Sequence, residues 1–157
     1  PRTFLTSGGL GTMGYGLGAC IGAKYACPES RAINIAGDGS FHMNCNELST
    51  AAKYNVPIVE IIMNNEVLGM VRQWQKLFYG KRYSNTTMEK PTDYQKLAEA
   101  FGVKGYTIKT RAELEPVLKE ALSQDGPVLV NCLIDKDMNV LPMVPAGKSA
   151  EEPLLEM

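Results

Sequence analysis

The 157-residue sequence predicts an α/β fold, a three-layer α/β/α sandwich with a mostly parallel sheet. Short apolar runs alternate along the chain with segments of helical periodicity, and strands that alternate with helices pair in parallel through right-handed crossovers. These runs are apolar along their whole length rather than at every second residue, which is typical of strands covered on both faces. We therefore expect helices on both sides of a buried sheet.

The predicted strands are the four short apolar runs. They lie at 31–36, 58–63, 103–108 and 128–134. Apolar residues with the spacing of one helix face predict helices at 67–78, 94–101 and 110–122. Gly102 supplies a stop for the second of these, and Thr110 with Glu113 forms a capping box at the start of the third. A further helical pattern follows Ser40 up to about Tyr54, and Ser40 is the expected N-cap.

One domain, residues 1–134, accommodates all of these elements, and residues 135–157 form an extended C-terminal tail with three prolines and no periodicity. Sixteen Lys and Arg against 17 Asp and Glu, with no basic stripe, disfavour a nucleic-acid partner. No apolar run has the roughly 20 residues that a membrane span needs. Four scattered cysteines without a CxxC pair favour reduced thiols, a cytoplasmic protein and no zinc site. Because the first residue is Pro rather than Met, we expect a fragment of a longer chain.

Polar residues follow two consecutive predicted strands. Asp38 lies in a Gly-Asp-Gly-Ser turn after the first strand, and Asn65 follows the second strand 27 residues later. Parallel strands place their carboxyl ends at one edge of the sheet, where such folds bind ligands. The glycine-rich turn and the helix N-terminus after it favour an anion such as phosphate. Because the Asp38 carboxylate would repel a bare phosphate, its presence there predicts a cation between the carboxylate and the phosphate. Asp38, Asn65, a backbone carbonyl and two phosphate oxygens could serve as ligands in the octahedral shell of a Mg²⁺-diphosphate site.

The same residues carry a resemblance to a known family. Gly-Asp-Gly followed after about 27 residues by Asn-Asn resembles the signature of thiamine-diphosphate enzymes. The segments at 6–16, 73–75, 77–84 and 140–147 are similar to the C-terminal, cofactor-binding part of the acetolactate synthase (acetohydroxyacid synthase) catalytic subunit family. The resemblance covers nearly the whole chain and implies the thiamine-diphosphate-binding fold. It implies decarboxylation of pyruvate and carboligation to a second 2-keto acid, in branched-chain amino-acid biosynthesis.

Site residues follow from the resemblance position by position. It implies three Mg²⁺ ligands: the side chains of Asp38 and Asn65 and the carbonyl of Val67. The implied diphosphate contacts are Gly37, Gly39, Ser40, Leu68 and Gly69. Gly11 and Met13 would hold the aminopyrimidine through their backbone, and Met13 would also lie beneath the cofactor and bend it. Met70 and Trp74 would line the substrate side, with Met70 also touching the cofactor.

The resemblance also implies groups that this sequence does not contain. A glutamate that polarises the aminopyrimidine would come from a neighbouring subunit of the same family, so a homo-oligomer is expected. FAD would be bound in the full-length enzyme, mostly outside this chain, and a regulatory subunit is a possible partner in the family. We therefore expect an incomplete active site that does not catalyse alone.

Other interpretations of the same residues stay open. Gly9, Gly11 and Gly14 also match the GxGxxG dinucleotide fingerprint, which needs a full strand before it. Asp38 and Asn65 could each serve only as turn residues. Met13, Met70 and Trp74 could be core side chains. A pyruvate oxidase or 2-keto-acid decarboxylase with the same cofactor is the nearest alternative family, and a non-catalytic dinucleotide-binding module is the alternative from another class.

Overall fold

A computed structural model describes residues 3–88 and 90–155, and it confirms the predicted α/β sandwich. The strands are β1 (Ala32–Gly37), β2 (Ile58–Asn64), β3 (Lys104–Ile108) and β4 (Val128–Leu133). The helices are α1 (Tyr15–Ala26), α2 (Asp38–His42), α3 (Leu48–Lys53), α4 (Gly69–Phe78), α5 (Tyr94–Ala100) and α6 (Arg111–Ser123). Two 3-10 turns, Gly8–Leu10 and Cys45–Glu47, complete the elements of these ranges. The outermost residues of the predicted domain and tail, 1–2 and 156–157, lie outside the described residues.

All four strands are parallel and stand in the order β1-β2-β4-β3. Each strand begins and ends within one residue of its predicted bounds. In the register of the sheet, Gly37 of β1 pairs with Met63 of β2. The strands β1 and β2 therefore end side by side, and Asp38 and Asn65 follow them at the same edge of the sheet.

Two apolar clusters lie on opposite faces of the sheet. On one face, buried residues of α1, α3 and α5 pack against the strands, with Leu17, Ala51 and Ala98 among them. On the other face, α6 covers β3 and β4 through Ala121 and its neighbours. This second helical layer does not reach β1, where Ile35 is 69% exposed. Within the described ranges, no helix is both long enough and apolar enough to cross a membrane.

The predicted start signal of α6 and the predicted stop signal of α5 are confirmed. Thr110 and Glu113 form the predicted capping box at the start of α6. Gly102 follows α5 with a φ of 74°, a left-handed conformation that glycine adopts without strain and that ends a helix.

The single helix predicted from Ser40 to Tyr54 is wrong. The chain forms α2, then the turn Cys45–Glu47, then α3. Asn44 breaks the helix because its φ of −148° lies outside the helical region, and asparagine has a low helix propensity. The break lets Met43 approach the N-terminus of α1, where a Cβ on Gly14 would lie 2.8 Å from the Met43 Cβ.

Candidate functional site

Asp38 and Asn65 converge on one turn of backbone between β2 and α4. The carboxylate of Asp38 accepts a hydrogen bond from the Glu66 N–H at 2.8 Å through Oδ2, and from the Gly39 N–H at 2.9 Å through Oδ1. The Asn65 side-chain oxygen accepts from the next amide, Val67 N–H, at 3.2 Å. Because Glu66 and Val67 are consecutive, the two side chains lie on neighbouring peptides, as the strand-end argument predicts.

The carboxylate of Asp38 is buried and forms no ion pair with the other described residues. Asp38 is 2% exposed. Burial raises the pKa of this carboxyl, and the N–H groups of Gly39 and Glu66 oppose the rise. An ionised carboxylate in such a place is stabilised by a bound cation. The site therefore fits a cation chemically.

The other oxygen atoms that could bind a cation together with Asp38 belong to neutral amide and carbonyl groups. In the described part of the chain, no group of three His, Cys, Asp or Glu side chains is placed to hold a metal. A cation bound at Asp38 would need the amide of Asn65 and backbone oxygens as further ligands. The Val67 carbonyl accepts no hydrogen bond from the described residues. One carboxylate with neutral oxygens is a ligand set that suits Mg²⁺, which keeps few protein ligands and completes its shell with phosphate oxygens or water.

A second segment braces the turn that carries Val67. The Leu68 N–H donates to the Thr86 carbonyl at 2.8 Å, and the Met88 N–H donates to the Glu66 carbonyl at 2.9 Å. Glu66 itself has a φ of 58°, an uncommon conformation for a side chain of its size. The two backbone hydrogen bonds to residues 86 and 88 hold Glu66 in this conformation, so the carbonyl of Val67 has a defined position.

Two glycines allow close approaches at this edge. A Cβ on Gly69 would lie 2.8 Å from the amide nitrogen of Asn65, so only glycine lets that side chain occupy its position. A Cβ on Gly39 would lie 2.8 Å from the Leu68 side chain and 3.4 Å from the Met13 methyl. Leu68 and Met13 therefore meet at the start of α2, both of them residues that the sequence singles out.

Ser40 is not the helix cap that the sequence predicts. Helix α2 begins at Asp38 with Gly37 as its N-cap. The Asp38 side chain accepts a hydrogen bond from the Gly39 N–H in the first turn. Instead, the Ser40 hydroxyl oxygen accepts a hydrogen bond from the Gly14 N–H at 3.0 Å. This contact joins the start of α2 to the segment that contains Gly11 and Met13.

Met13, Met70 and Trp74 belong to neither apolar core. Met13 is 45% exposed and Met70 is 49% exposed. The Trp74 ring packs edge-on against Phe78, with 5.3 Å between ring centroids. An open cavity of about 670 Å³ lies on this side of α4, and Met70, Val71, Trp74, Gln75, Tyr79 and Arg82 line it. The core interpretation of these residues is therefore wrong, while their roles toward a cofactor and substrate stay predictions.

His42 and Arg72 each contact residues that are distant in sequence. The His42 Nε2 lies 3.0 Å from the Thr92 hydroxyl, which agrees with a surface residue in a structural contact. Arg72 pairs with Asp137 at 2.8 Å and stacks over the ring of Tyr83 at 4.0 Å. Arg72 is therefore occupied by structural contacts and is not a free cation for a substrate.

Sequence reasoning missed the contacts of two residues in this region, Met88 and Gln73. Met88 reaches the site, since its methyl would lie 3.6 Å from a Cβ on Gly39. Gln73 is 3% exposed and bonds to the C-terminal tail. Neither has a signal in the local pattern, because each acts on a segment that is distant in sequence. The GxGxxG alternative lacks its strand, since residues 3–7 form no regular element.

Comparisons with known proteins agree with this geometry. The family described as "Thiamine pyrophosphate enzyme, C-terminal TPP binding domain" matches residues 1–132. The chain is 54% identical over 152 residues to the mitochondrial acetolactate synthase catalytic subunit of Saccharomyces cerevisiae, covering 97% of this chain and 22% of that protein. It is 46% identical over 154 residues to the acetolactate synthase isozyme 2 large subunit of Escherichia coli, covering 98% and 28%.

A solved structure shares the fold. The thiamine diphosphate-dependent 4-hydroxybenzoylformate decarboxylase of Rhodococcus jostii superposes with a TM-score of 0.73 at 32% identity, covering 78% of this chain and 23% of that one. The chain spans about a quarter of the length of the curated relatives that it matches.

Proposed function

Since the chain belongs to the thiamine pyrophosphate enzymes, as their C-terminal TPP-binding domain, we propose that it binds thiamine diphosphate through Mg²⁺ and serves an acetolactate synthase. The buried, uncompensated carboxylate of Asp38 beside Asn65 carries this proposal. The identity of 46–54% to acetolactate synthase catalytic subunits supports that enzyme over other users of the cofactor.

In this proposal, Mg²⁺ is held by the side chains of Asp38 and Asn65 and by the Val67 carbonyl. The negative charge of Asp38 is then balanced by the cation, which is the partner that burial demands. The backbone around Gly39, Ser40 and the residues 68–69 lies beside those ligands and would contact the diphosphate. The hydroxyl of Ser40 accepts from Gly14 and retains its own proton to donate.

In the same proposal, Met13 and the backbone of Gly11 would hold the aminopyrimidine, and the Met13 methyl lies 3.4 Å from the position of a Cβ on Gly39. When bound, thiamine diphosphate would supply the carbanion chemistry for decarboxylation of pyruvate and its joining to a second 2-keto acid. Met70 and Trp74 give the cavity on α4 an apolar wall and would exclude water from the substrate. Trp74 would also limit the size of the acceptor acid.

The rest of the active site would come from outside these residues. We propose a homo-oligomer in which a same-family subunit supplies the glutamate that polarises the aminopyrimidine. FAD would bind in the full-length enzyme, mostly away from this chain, and a regulatory subunit is a further proposed partner. A cytoplasmic location and a role in branched-chain amino-acid biosynthesis are part of the same proposal.

The proposal is tested by thermal unfolding with thiamine diphosphate, with and without Mg²⁺. A ligand at 100 times its Kd adds about 2.7 kcal/mol to the free energy of unfolding, which in a domain of this size raises Tm by about 5–10 °C. We expect this rise only with both ligands present. Asp38→Asn keeps the shape of the side chain, removes the charge and should abolish the rise.

Asp125→Asn is the matched control, because Asp125 is exposed and its side chain makes no hydrogen bond among the described residues. It should keep the full rise in Tm. A rise that needs no divalent cation, or that survives in Asp38→Asn, would contradict the metal assignment. Stabilisation by NAD instead would support the dinucleotide-binding alternative.

A decarboxylase of benzoylformate type is the second candidate, since the solved structure reported above carries that activity in its name. The two candidates differ in their products. The full-length enzyme, given pyruvate and 2-ketobutyrate, should release the joined acetohydroxy acids. Release of free aldehyde alone would favour the decarboxylase.

A further inference from the structure

Helix α4, which carries Met70 and Trp74, is not held by either apolar core. Neither buried cluster contains one of its residues. Its one buried side chain is Gln73, which is polar and 3% exposed. Polar contacts therefore contribute to the position of this helix, and Gln73 is the most buried residue that makes them.

Gln73 pairs with the backbone of Val140 in the C-terminal tail. Its Nε2 donates to the Val140 carbonyl at 3.1 Å, and its Oε1 accepts from the Val140 N–H at 2.7 Å. The same Nε2 lies 3.2 Å from the sulfur of Met143. A primary amide has the donor and acceptor of a peptide group, so Gln73 holds the tail as a neighbouring strand would.

The contacts on either side of Gln73 reinforce this attachment. Arg72 donates through Nε and a terminal nitrogen to one carboxylate oxygen of Asp137, at 3.0 and 2.8 Å. Gln75 donates to the Ser84 carbonyl at 3.1 Å and so holds the loop that follows α4. Trp74 lies between the two glutamines in sequence and lines the cavity on α4.

We propose that Gln73 is a positioning residue: its buried amide ties the tail at Val140 and Met143 to α4 and thereby sets the orientation of Trp74 in the cavity. The tail then acts on the cavity through the helix. That the cavity receives a substrate rests on the proposed function, whereas the tie between Gln73 and the tail does not.

Trp74 is the only tryptophan of the sequence, so its fluorescence reports this helix without any cofactor. Gln73→Met keeps the length of the side chain and removes both hydrogen bonds to Val140. We expect acrylamide quenching of Trp74 to rise about twofold, because local structure opens where backbone bonds are lost. For the same reason, tryptic cleavage at Lys136 and Lys148 of the tail should become about tenfold faster.

Val140→Pro attacks the same tie from the tail. It removes the Val140 N–H, which donates a hydrogen bond to Gln73 Oε1. The Val140 side chain is 63% exposed and lies outside both cores, so the substitution removes no core packing. Val140→Pro leaves the Val140 carbonyl, so it should raise quenching by less than Gln73→Met does. If Gln73 acts through the tail, the double variant shows no more quenching than Gln73→Met alone. Gln124→Met, the same exchange at the end of α6, should change neither readout.

Unchanged quenching in both single variants, or effects that add in the double variant, would overturn the proposal. Should Gln73→Met fail to fold, Val140→Pro alone decides, since its site lies in an irregular segment. No cofactor enters this experiment. A negative result here therefore leaves the thiamine diphosphate titration intact, and a failed titration leaves the tie between Gln73 and Val140 untouched.

Discussion

Glu60 is a buried carboxyl group in the centre of the sheet, and it makes the stability of the protein depend on pH. It is 0% exposed on β2, and the Asn34 amide donates to both of its oxygens, at 2.9 and 2.8 Å. Burial raises the pKa of Glu60 from 4.5 to about 7, against the opposing effect of the Asn34 hydrogen bonds. Between pH 4.5 and about 7, Glu60 therefore keeps its proton in the folded protein, whereas it has lost that proton in the unfolded chain.

Stability contributed by a group with a raised pKa is present below its unfolded value and is lost as pH rises to its folded value. For Glu60 the window runs from pH 4.5 to about 7. At 1.36 kcal/mol per pKa unit, the loss across it is about 3 kcal/mol. Glu60→Gln removes the titration, so its free energy of unfolding relative to the original chain should rise by about 3 kcal/mol across this window.

The assay is urea unfolding at pH 4.5, 6 and 8, with the difference between the two proteins taken at each pH. Other titrating groups are common to both proteins and cancel in that difference. Glu29→Gln, at an exposed position, is the control and should show a difference that does not change with pH. A pH-independent difference for Glu60→Gln would refute the account of a buried carboxyl with a raised pKa.

Three glycine substitutions test the close approaches seen in the structure. Gly16→Ala places its Cβ against the side-chain amide of Asn34, so urea unfolding should show a free energy of unfolding lower by about 1–3 kcal/mol. Gly18→Ala faces open space within α1 and should raise the free energy of unfolding by about 0.5–1 kcal/mol. The reverse order of the two effects would contradict the packing. Gly69→Ala crowds the side chain of Asn65 and should weaken the Mg²⁺-dependent rise in Tm with thiamine diphosphate. Gly18→Ala should retain the full rise, and an unchanged rise in Gly69→Ala would contradict the need for glycine at this close approach.

Local sequence pattern was sufficient for the sheet. The strands could be predicted within one residue because a fully buried parallel strand is apolar along its length and short enough to bound on both sides. The juxtaposition of Asp38 and Asn65 followed from topology alone, since the ends of neighbouring parallel strands share an edge. Gly39, Leu68 and Gly69, which the family resemblance assigns, lie at this edge. Met70 and Trp74 lie on α4, and the roles of all five stay predictions.

Features that depend on distant contacts could not be predicted. Gln73 is buried only because the tail, 67 residues later, lies against it. Met88 reaches Gly39 because the segment 86–88 pairs with the turn after β2. The single helix expected after Ser40 failed for a related reason, since the chain bends at Asn44 to pack beside α1. The hydrophobic periodicity around such residues does not indicate which distant residues they contact.

The central claim is that Asp38 and Asn65 hold one divalent cation against a diphosphate. Its most direct test is a crystal structure of this chain grown with thiamine diphosphate and Mn²⁺, in which anomalous scattering locates the metal. We expect one strong peak with Asp38, Asn65 and the Val67 carbonyl as ligands, at roughly the 2.1 Å typical of Mg²⁺-type octahedral sites. A metal bound elsewhere, or a diphosphate seated without these three oxygens, would contradict the account.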